Sequence, residues 1–318
     1  MGLLRKAAAI LAACLAITGE ANAKDRIYVL SQSAAALTEI DIETASGIVN
    51  SIPLAKAAAS LAIAPDKQTA YVTHPDLGQV SVVDLDQSRV AGTLSVGGSP
   101  FGVAVTSTGN LFIGDWNGAH ITVVDPKGAS EPKTVEVGRA PAHLLLTPDE
   151  KLLFVANREG DSVSAVRLQD LRVVRTIEVG RAPFAMALSP DGKHLYVGNV
   201  QSSTVSVIDT EKLKVTDTLK SGAMPYGAAV TPDGSRVLVS NQQSGTLSIL
   251  RGTGETPASI KVGGYPEGIA IDASGTRAYV ANWFSDDVSV LDLLARRELR
   301  RIKCPGGPRA IVAIRRKP

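Results

Sequence analysis

The chain has 318 residues, of which 44% are hydrophobic and only 4% are aromatic. Its 33 lysines and arginines nearly balance 31 aspartates and glutamates, so no global charge attracts nucleic acid or an anionic membrane surface. The length suits one large all-β domain, and we expect no nucleic-acid partner.

The first predicted element is a signal peptide over residues 1–23. Arg5-Lys6 forms a basic start, an apolar run covers residues 7–17, and Ala21-Asn22-Ala23 supplies small residues for cleavage. The apolar run is too short to span a bilayer. The sequence therefore predicts a periplasmic or secreted mature chain, residues 24–318, without a transmembrane segment.

Cys14 leaves a second interpretation of this segment open. Leu11-Ala12-Ala13-Cys14 resembles a bacterial lipobox, in which the cysteine is lipidated and becomes the first mature residue. The apolar run continues to Ile17, where a lipoprotein normally turns polar, so the soluble exported form is favoured. In that form Cys304 is the only thiol, and stability must come from packing and closure rather than from a disulfide.

An internal repeat runs through the rest of the chain. Its clearest phrase is an apolar residue, Gly, two variable residues and Pro, as in Val137-Gly138-Arg139-Ala140-Pro141. The prolines of this Gly-x-x-Pro link recur every 41 or 42 residues, at Pro100, Pro141, Pro183, Pro225, Pro266 and Pro308. A degenerate copy lies at Ala58, so the period extends over the whole mature chain.

Each repeat contains four predicted strands. A short apolar run follows the Pro, and a turn such as Ser189-Pro190-Asp191-Gly192 reverses the chain. A strand ending in Asn comes next, then an alternating strand such as residues 204–208, then a fourth strand that leads to the next link. Four-stranded units at this period indicate a propeller rather than a solenoid, whose repeats are usually shorter or helical.

The two ends of the chain are predicted to complete each other. Residues 26–30, 37–42 and 48–53 supply three strands of a first blade, and residues 310–314 supply one strand after the last Pro. Pairing them leaves no open sheet edge. The sequence therefore predicts an all-β, seven-bladed β-propeller of four-stranded antiparallel blades, closed by the C-terminal strand.

The strand motifs resemble those of a known family. Tyr196-Val197-Gly198-Asn199, Tyr279-Val280-Ala281-Asn282 and Val205-Ser206-Val207-Ile208-Asp209 look like the repeats of the YVTN-repeat family of exported seven-bladed propellers. The resemblance covers essentially the whole mature chain and implies the fold. Its relatives include binding proteins, surface-layer proteins, lactonase-like propellers and propeller subunits of quinoprotein dehydrogenases, so it does not select a function.

Two sets of loops, the Gly-x-x-Pro links and the loops after the Asn-ended strands, are predicted to surround one end of the channel, which we call the upper face. The Asn position reads Ser31, His74, Asp115, Asn157, Asn199, Asn241 and Asn282. We interpret the four asparagines as turn-stabilising residues. His74 and Asp115 depart from the repeat and are therefore candidates for ligand binding.

Large side chains at two further positions are also binding candidates. The position after the Asn holds the chain's two tryptophans, Trp116 and Trp283, and Trp is common at binding hot spots. Alternatively, each indole simply covers a gap between blades. The position after the link Pro is expected to approach the channel mouth, and it includes Phe101, Phe184, Tyr226 and Glu267.

Three arginines form a predicted cationic sector. Arg139 and Arg181 occupy matching places in neighbouring links, and Arg158 lies between them in the sequence. Together they could accept a carboxylate or a phosphate. The alternative is that they are ordinary solvated loop residues.

The sequence contains few signatures of catalysis or metal binding. The four histidines show no H-E-x-x-H spacing, and neither C-x-x-C-H nor G-x-S-x-G occurs. His143 is expected to point toward the channel, where it could form a polar cluster with His74, Asp115 and Glu267. We predict no cofactor and no metal site, with a divalent metal only under a hydrolase alternative.

The sequence favours a non-catalytic extracytoplasmic scaffold. Its upper-face loops are expected to bind a protein partner or a small ligand, with an anion among the candidates. Two alternatives stay open, a lactonase-like, metal-assisted hydrolase and an accessory propeller subunit of a periplasmic quinoprotein or haem oxidoreductase. Whether the protein is an enzyme therefore stays open as well.

Overall fold

The computed structural model describes residues 25–44, 47–250 and 258–315. The predicted signal peptide and Cys14 lie outside these residues. The described chain forms 28 strands in seven four-stranded antiparallel sheets, arranged as the blades of a ring. The predicted seven-bladed β-propeller is thus confirmed. Among the described residues, no helix is long and apolar enough to cross a membrane.

The strands are numbered in chain order. Blade 1 contains β1 (Asp25–Ser31), β2 (Ala36–Ile40) and β3 (Ile48–Pro53), with β28 (Pro308–Arg315) next to β1. Blade 2 contains β4 (Leu61–Ile63), β5 (Thr69–His74), β6 (Gln79–Asp84) and β7 (Arg89–Ser95). Blade 3 contains β8 (Pro100–Val105), β9 (Leu111–Asp115), β10 (His120–Val124) and β11 (Lys133–Glu136).

The remaining blades repeat the same order. Blade 4 contains β12 (Pro141–Leu146), β13 (Leu152–Asn157), β14 (Ser162–Arg167) and β15 (Arg172–Glu178). Blade 5 contains β16 (Pro183–Leu188), β17 (His194–Asn199), β18 (Thr204–Asp209) and β19 (Lys214–Lys220). Blade 6 contains β20 (Pro225–Val230), β21 (Val237–Asn241), β22 (Thr246–Leu250) and β23 (Ala258–Lys261). Blade 7 contains β24 (Pro266–Ile271), β25 (Arg277–Asn282), β26 (Asp287–Asp292) and β27 (Arg297–Lys303).

The link prolines open the innermost strands. Pro is tolerated at the first residue of an edge strand because it has no N–H to donate to the ladder. At the opposite end of the innermost strand, the Pro-Asp-Gly turns need a left-handed residue, and Gly192 and Gly234 supply φ values of +71° and +72°. Two single-turn 3-10 helices, Pro75–Leu77 and Arg158–Gly160, follow second strands on the upper face.

The C-terminal strand closes the ring as predicted. β28 pairs antiparallel with β1, from Asp25 opposite Arg315 to Ser31 opposite Pro308. The strand is longer than the predicted residues 310–314. The predicted strand over residues 37–42 instead ends at Ile40, because the Asp41 carboxylate accepts the backbone N–H of residue 43 and turns the chain.

The hydrophobic core lies between blades rather than around one centre. The buried side chains of the described residues form seven clusters, and each cluster joins one pair of adjacent blades. The cluster between blades 7 and 1 includes Ile27, Val29, Tyr279 and Ile311. Since fully burying one such side chain contributes about 1.5–3 kcal/mol, closure of the ring adds a complete layer of packing.

Candidate binding site at the channel mouth

The residue after each link Pro lies at the upper end of the central channel, and in blade 2 it follows Ala58 instead. We call these seven residues the mouth ring: Ala59, Phe101, Ala142, Phe184, Tyr226, Glu267 and Arg309. All seven line one cavity of about 230 Å³. Typical pockets for drug-sized ligands have roughly 300–1,000 Å³. The cavity therefore suits a small ligand.

Four side chains of the mouth ring form a closed set of contacts across the channel. The ring centroids of Phe101 and Phe184 are 5.9 Å apart, and Phe184 stacks on Tyr226 at 4.0 Å. Arg309 Nη2 donates to the Tyr226 hydroxyl at 3.3 Å, and the Arg309 guanidinium carbon lies 5.5 Å from the Phe101 ring centroid. Most of these contacts join blades that are not neighbours, so the side chains cover the channel mouth.

A second set of side chains lies next to the mouth ring, and four of its members contact mouth-ring side chains. It is the position after the Asn, and we call it the outer ring: Gln32, Pro75, Trp116, Arg158, Val200, Gln242 and Trp283. The Trp116 indole lies 4.4 Å from the Phe101 ring, centroid to centroid. Gln242 Nε2 donates to Glu267 Oε1 at 2.8 Å. Two repeat positions at which the residue differs between blades therefore meet in space.

Arg158 is the outer-ring cation beside the aromatic side chains. The 3-10 helix that follows β13 places its guanidinium carbon 5.9 Å from the Trp116 ring centroid and 5.6 Å from the Phe184 ring centroid. Cation–π contacts of this kind contribute about 0.5–2 kcal/mol each. Within the described residues, Arg158 has no ion pair, and its Nη1 is buried without a hydrogen-bond acceptor.

Glu267 and Arg309 form a buried ion pair in the mouth ring. Arg309 Nε lies 3.3 Å from Glu267 Oε2, while the other carboxylate oxygen accepts the hydrogen bond from Gln242. Arg309 Nη1 also donates to Gln32 at 3.0 Å. Burial raises the pKa of Glu267, and the charge of Arg309 opposes that rise. Both oxygens of the carboxylate are therefore already paired.

His143 is a neutral hydrogen-bond donor in the channel wall. Its Nδ1 accepts the backbone N–H of Met186 at 2.9 Å, so the proton of the neutral ring lies on Nε2. Burial lowers the pKa of His143 to about 4, which keeps the imidazole uncharged at neutral pH. Because it also lines the cavity, His143 can offer a ligand an N–H group but carries no positive charge.

His74 and Asp115 stand inside their blades instead of at the mouth. In the blades that have Asn, its amide donates to the hydroxyl seven residues further on. His74 is fully buried, with Nε2 2.9 Å from the Ser81 hydroxyl and Nδ1 2.9 Å from the Lys56 carbonyl. The Asp115 carboxylate accepts the backbone N–H of Ser99 at 3.0 Å. Both thus take over structural hydrogen bonding, and the predicted polar cluster with His143 and Glu267 is not assembled.

The predicted cationic sector is formed only in part. Arg139 Nη2 donates to the carbonyl of residue 159 at 2.7 Å, and Arg181 Nη2 donates to the carbonyl of residue 201 at 3.3 Å. Both arginines are exposed, and neither lines the cavity. Of the three arginines, Arg158 is the one in contact with the aromatic side chains of the mouth.

Trp283 belongs to a separate aromatic cluster on the upper face. Its ring lies 5.8 Å from Tyr265 and 5.1 Å from Phe284, and the Trp283 Nε1 is buried without an acceptor. Phe284 is 68% exposed, which is unusual for so large an apolar side chain. The two predicted tryptophan candidates are therefore not part of one site.

Five residues with side-chain contacts in these clusters were not identified as candidates from the sequence, namely Gln32, Gln242, Tyr265, Phe284 and Arg309. The two glutamines occupy the same repeat position as the tryptophans and could have been found by treating that whole position as one surface. Tyr265 occupies a variable place of the Gly-x-x-Pro link. Phe284 had no signal except its neighbour Trp283.

The described residues do not fit a metal centre. Within residues 25–44, 47–250 and 258–315, no group of three or more His, Cys, Asp or Glu side chains is placed to hold a metal ion. At the mouth, Glu267 is paired with Arg309, and the Nδ1 lone pair of His143 is used by Met186. The donor set expected for a metal-assisted hydrolase is thus not formed by these side chains.

Comparison with known proteins supports the propeller fold and gives one partial match to a family model. A family model described as lactonase, 7-bladed beta-propeller, matches residues 127–215. The hydrazine synthase of Kuenenia stuttgartiensis is similar in structure, with a TM-score of 0.73 at 20% identity over 82% of this chain and 96% of that chain. A functionally unknown protein from Desulfotomaculum acetoxidans has a TM-score of 0.77 at 15% identity, over 91% and 98% of the two chains. No curated protein matches the sequence.

Proposed function

We propose that the protein is a non-catalytic extracytoplasmic scaffold that binds a small ligand at the mouth of its propeller channel. The observation that carries the proposal is a cavity of about 230 Å³ lined by all seven residues of the mouth ring, on which the outer-ring residues Trp116 and Gln242 pack. These are repeat positions at which the blades differ from one another. The mouth-ring side chains also contact residues of other blades, and an asymmetric ligand requires such differences between blades.

The polar groups at the mouth favour binding over chemistry. Glu267 is committed to Arg309 and Gln242, and His143 is a neutral donor with a pKa of about 4. A general base works best with a pKa near the working pH and with a free lone pair directed at the substrate. The described mouth offers donors and aromatic faces instead, which are the elements of recognition.

The extracytoplasmic location is part of the proposal. It rests on the basic start, the apolar run and the small residues at the N-terminus of the sequence. Fractionation of the producing cell into cytoplasm, envelope and medium, with immunodetection of the chain, tests it. Recovery of the uncleaved chain in the cytoplasm would contradict export.

The experiment for the binding function compares two aromatic substitutions. The exported protein is purified natively as wild type, as Phe184→Ala and as Phe284→Ala, and native mass spectrometry identifies bound small molecules and protein partners. We expect a small ligand on the wild type and on Phe284→Ala but not on Phe184→Ala. If only Phe284→Ala lost a bound molecule, the binding site would be the Trp283 cluster and its occupant a protein partner.

A lactonase-like hydrolase is the second candidate, because the lactonase family model matches residues 127–215. That segment contributes His143 and Phe184 to the cavity wall. Turnover of a lactone by the purified protein at enzymatic rates, abolished in Glu267→Gln, would establish this function and refute the scaffold. An accessory role in a periplasmic oxidoreductase predicts instead a stoichiometric redox partner in the native purification.

A further inference from the structure

The mouth of the channel carries one positive charge that no side chain neutralises. Arg309 is paired with Glu267, with 3.3 Å between the nitrogen and the oxygen. Arg158 has no such carboxylate among the described residues. The two cations and the one anion of the two rings therefore leave an excess charge of one, and that charge is located on Arg158.

The guanidinium of Arg158 also has an unused donor. Its Nη1 is buried and has no acceptor among the described residues. Buried polar groups in proteins almost always have a hydrogen-bond partner, and those that lack one need an explanation. A ligand oxygen that carries negative charge would supply the missing acceptor and the missing charge together.

The surroundings of Arg158 restrict what kind of anion fits. The guanidinium lies over the rings of Trp116 and Phe184, and Phe101 packs against both of these rings. Aromatic faces offer no hydrogen bonds to the several oxygens of a phosphate or sulfate, whereas they pack well against an apolar or planar body. Phe101 and Phe184 also line the cavity of about 230 Å³, whereas Trp116 and Arg158 lie beside its lining, so the space next to the two phenylalanine rings limits the size of that body.

Resting on the proposed function, we infer that the ligand of the channel mouth is a small organic monocarboxylate with an apolar or aromatic body, and that Arg158 binds its carboxylate. The body lies against Phe101, Trp116 and Phe184. Arg139 and Arg181 do not share this role, because their guanidinium groups are exposed and donate to backbone carbonyls.

Benzoate is a suitable probe, with benzyl alcohol as the uncharged control of similar size. Binding is measured by titration calorimetry on the full mature chain and by the fluorescence of Trp116 in a Trp283→Phe background, since the chain has only two tryptophans. We expect benzoate to bind at least about tenfold more tightly than benzyl alcohol, which is the effect of one charge-assisted hydrogen-bonded contact. Equal affinity for the two probes, or no benzoate binding, overturns the inference.

The variant that tests the residue is Arg158→Met, which keeps an unbranched apolar stem against the aromatic rings and removes the charge. We expect benzoate affinity to fall by at least about tenfold, whereas Arg181→Met, the matched control on the same face, changes it less than about twofold. Arg158→Lys provides a second test if the Met variant does not fold, and it should retain part of the affinity. If Arg158→Met binds benzoate as tightly as the wild type, the carboxylate binds at another residue. The same conclusion follows if Arg158→Lys and Arg181→Met both keep the wild-type affinity.

The outcome is separable from that of the proposed function. A ligand lost in Phe184→Ala but without a carboxylate would keep the binding site and refute only the role of Arg158. A wild-type protein with no small ligand at all would refute the binding function itself, whatever benzoate does.

Discussion

The Asn position and the mouth ring each contribute one residue per blade, and they differ in the contacts that their side chains make. In the four blades with Asn at the Asn position, the side chain is buried and donates to the hydroxyl seven residues further on, so its environment is the same in each of them. At the mouth ring each side chain meets residues from other blades, as Arg309 meets Tyr226 and Phe101. The first environment repeats with the chain, and the second does not.

This comparison shows that departure from a repeat is not by itself a sign of function. His74 departs from Asn, yet its ring nitrogens still contact the hydroxyl seven residues further on and a backbone carbonyl. At the mouth, two alanines and five larger residues stand at one position, and no shared hydrogen bond explains them. A repeat position is a better indicator of a binding site when both its residue and its surroundings differ between blades.

The largest expected effect comes from opening the closed ring of blades that supports both the Asn position and the mouth ring. Deleting residues 310–318 removes most of β28, including Ile311 and Ile314, which belong to the clusters on either side of blade 1. Several kcal/mol of packing would be lost, so we expect a melting temperature lower by on the order of 10 °C or more, or failure to fold. Circular dichroism measures it, with the exposed Arg315→Ala as control. A shift of only a few degrees would contradict closure by β28.

The second-largest effect compares the loss of stability at the Asn position with that at the mouth ring. Asn199→Ala leaves the half-buried hydroxyl of Thr204 and the buried hydroxyl of Ser206 without their amide donor and should cost about 3 kcal/mol. Phe184→Ala, at the partly exposed mouth, should cost only about 1 kcal/mol and abolish ligand binding. Urea denaturation followed by fluorescence compares them. A larger loss of stability in Phe184→Ala would show that the mouth ring serves the scaffold.

The channel wall should show a dependence of stability on pH. Because the folded pKa of His143 is about 4 and its ordinary value is 6.5, the unfolded chain binds more protons between these two values. Stability contributed by the neutral ring is therefore complete above pH 6.5 and is lost as the pH falls toward 4, by on the order of 2–3 kcal/mol. Melting temperatures across this range should fall less in His143→Gln. Parallel curves for the two proteins would refute a buried neutral His143.

The smallest effect tests the equivalence of His74 and Asn. His74→Asn restores the repeat residue, which can donate to Ser81, so we expect the free energy of unfolding to change by less than about 1 kcal/mol and ligand binding to be unaffected. His74→Leu leaves the Ser81 hydroxyl without this partner and should cost about 2 kcal/mol. If His74→Asn kept its stability but lost the ligand, a direct binding role for His74 would be restored.

The link prolines and the Asn-ended strands were sufficient to predict the blades, but they could not predict the side-chain contacts at the channel mouth. Trp116 and Trp283 occupy the same repeat position, yet one packs on Phe101 at the channel and the other on Phe284 at the surface. Their neighbours come from positions that vary between blades, and no repeat rule gives the identity of those neighbours. The resemblance to the YVTN-repeat family stays a prediction, as do the signal peptide and the location outside the cytoplasm.

The sequence by itself determined the period, the strand pattern, the number of blades and the closing strand, because each depends on local alternation, turn chemistry and the regular spacing of Pro. Only the tertiary structure decided which charges meet. Arg309 bonds to Gln32, 277 positions away in the chain, and to Tyr226, 83 positions away. The packing of β28 beside β24 brings Arg309 to Glu267, whereas no carboxylate among the described residues pairs with Arg158. Ion pairing at a channel mouth is set by distance in space, and that distance is fixed only when the blades pack against one another.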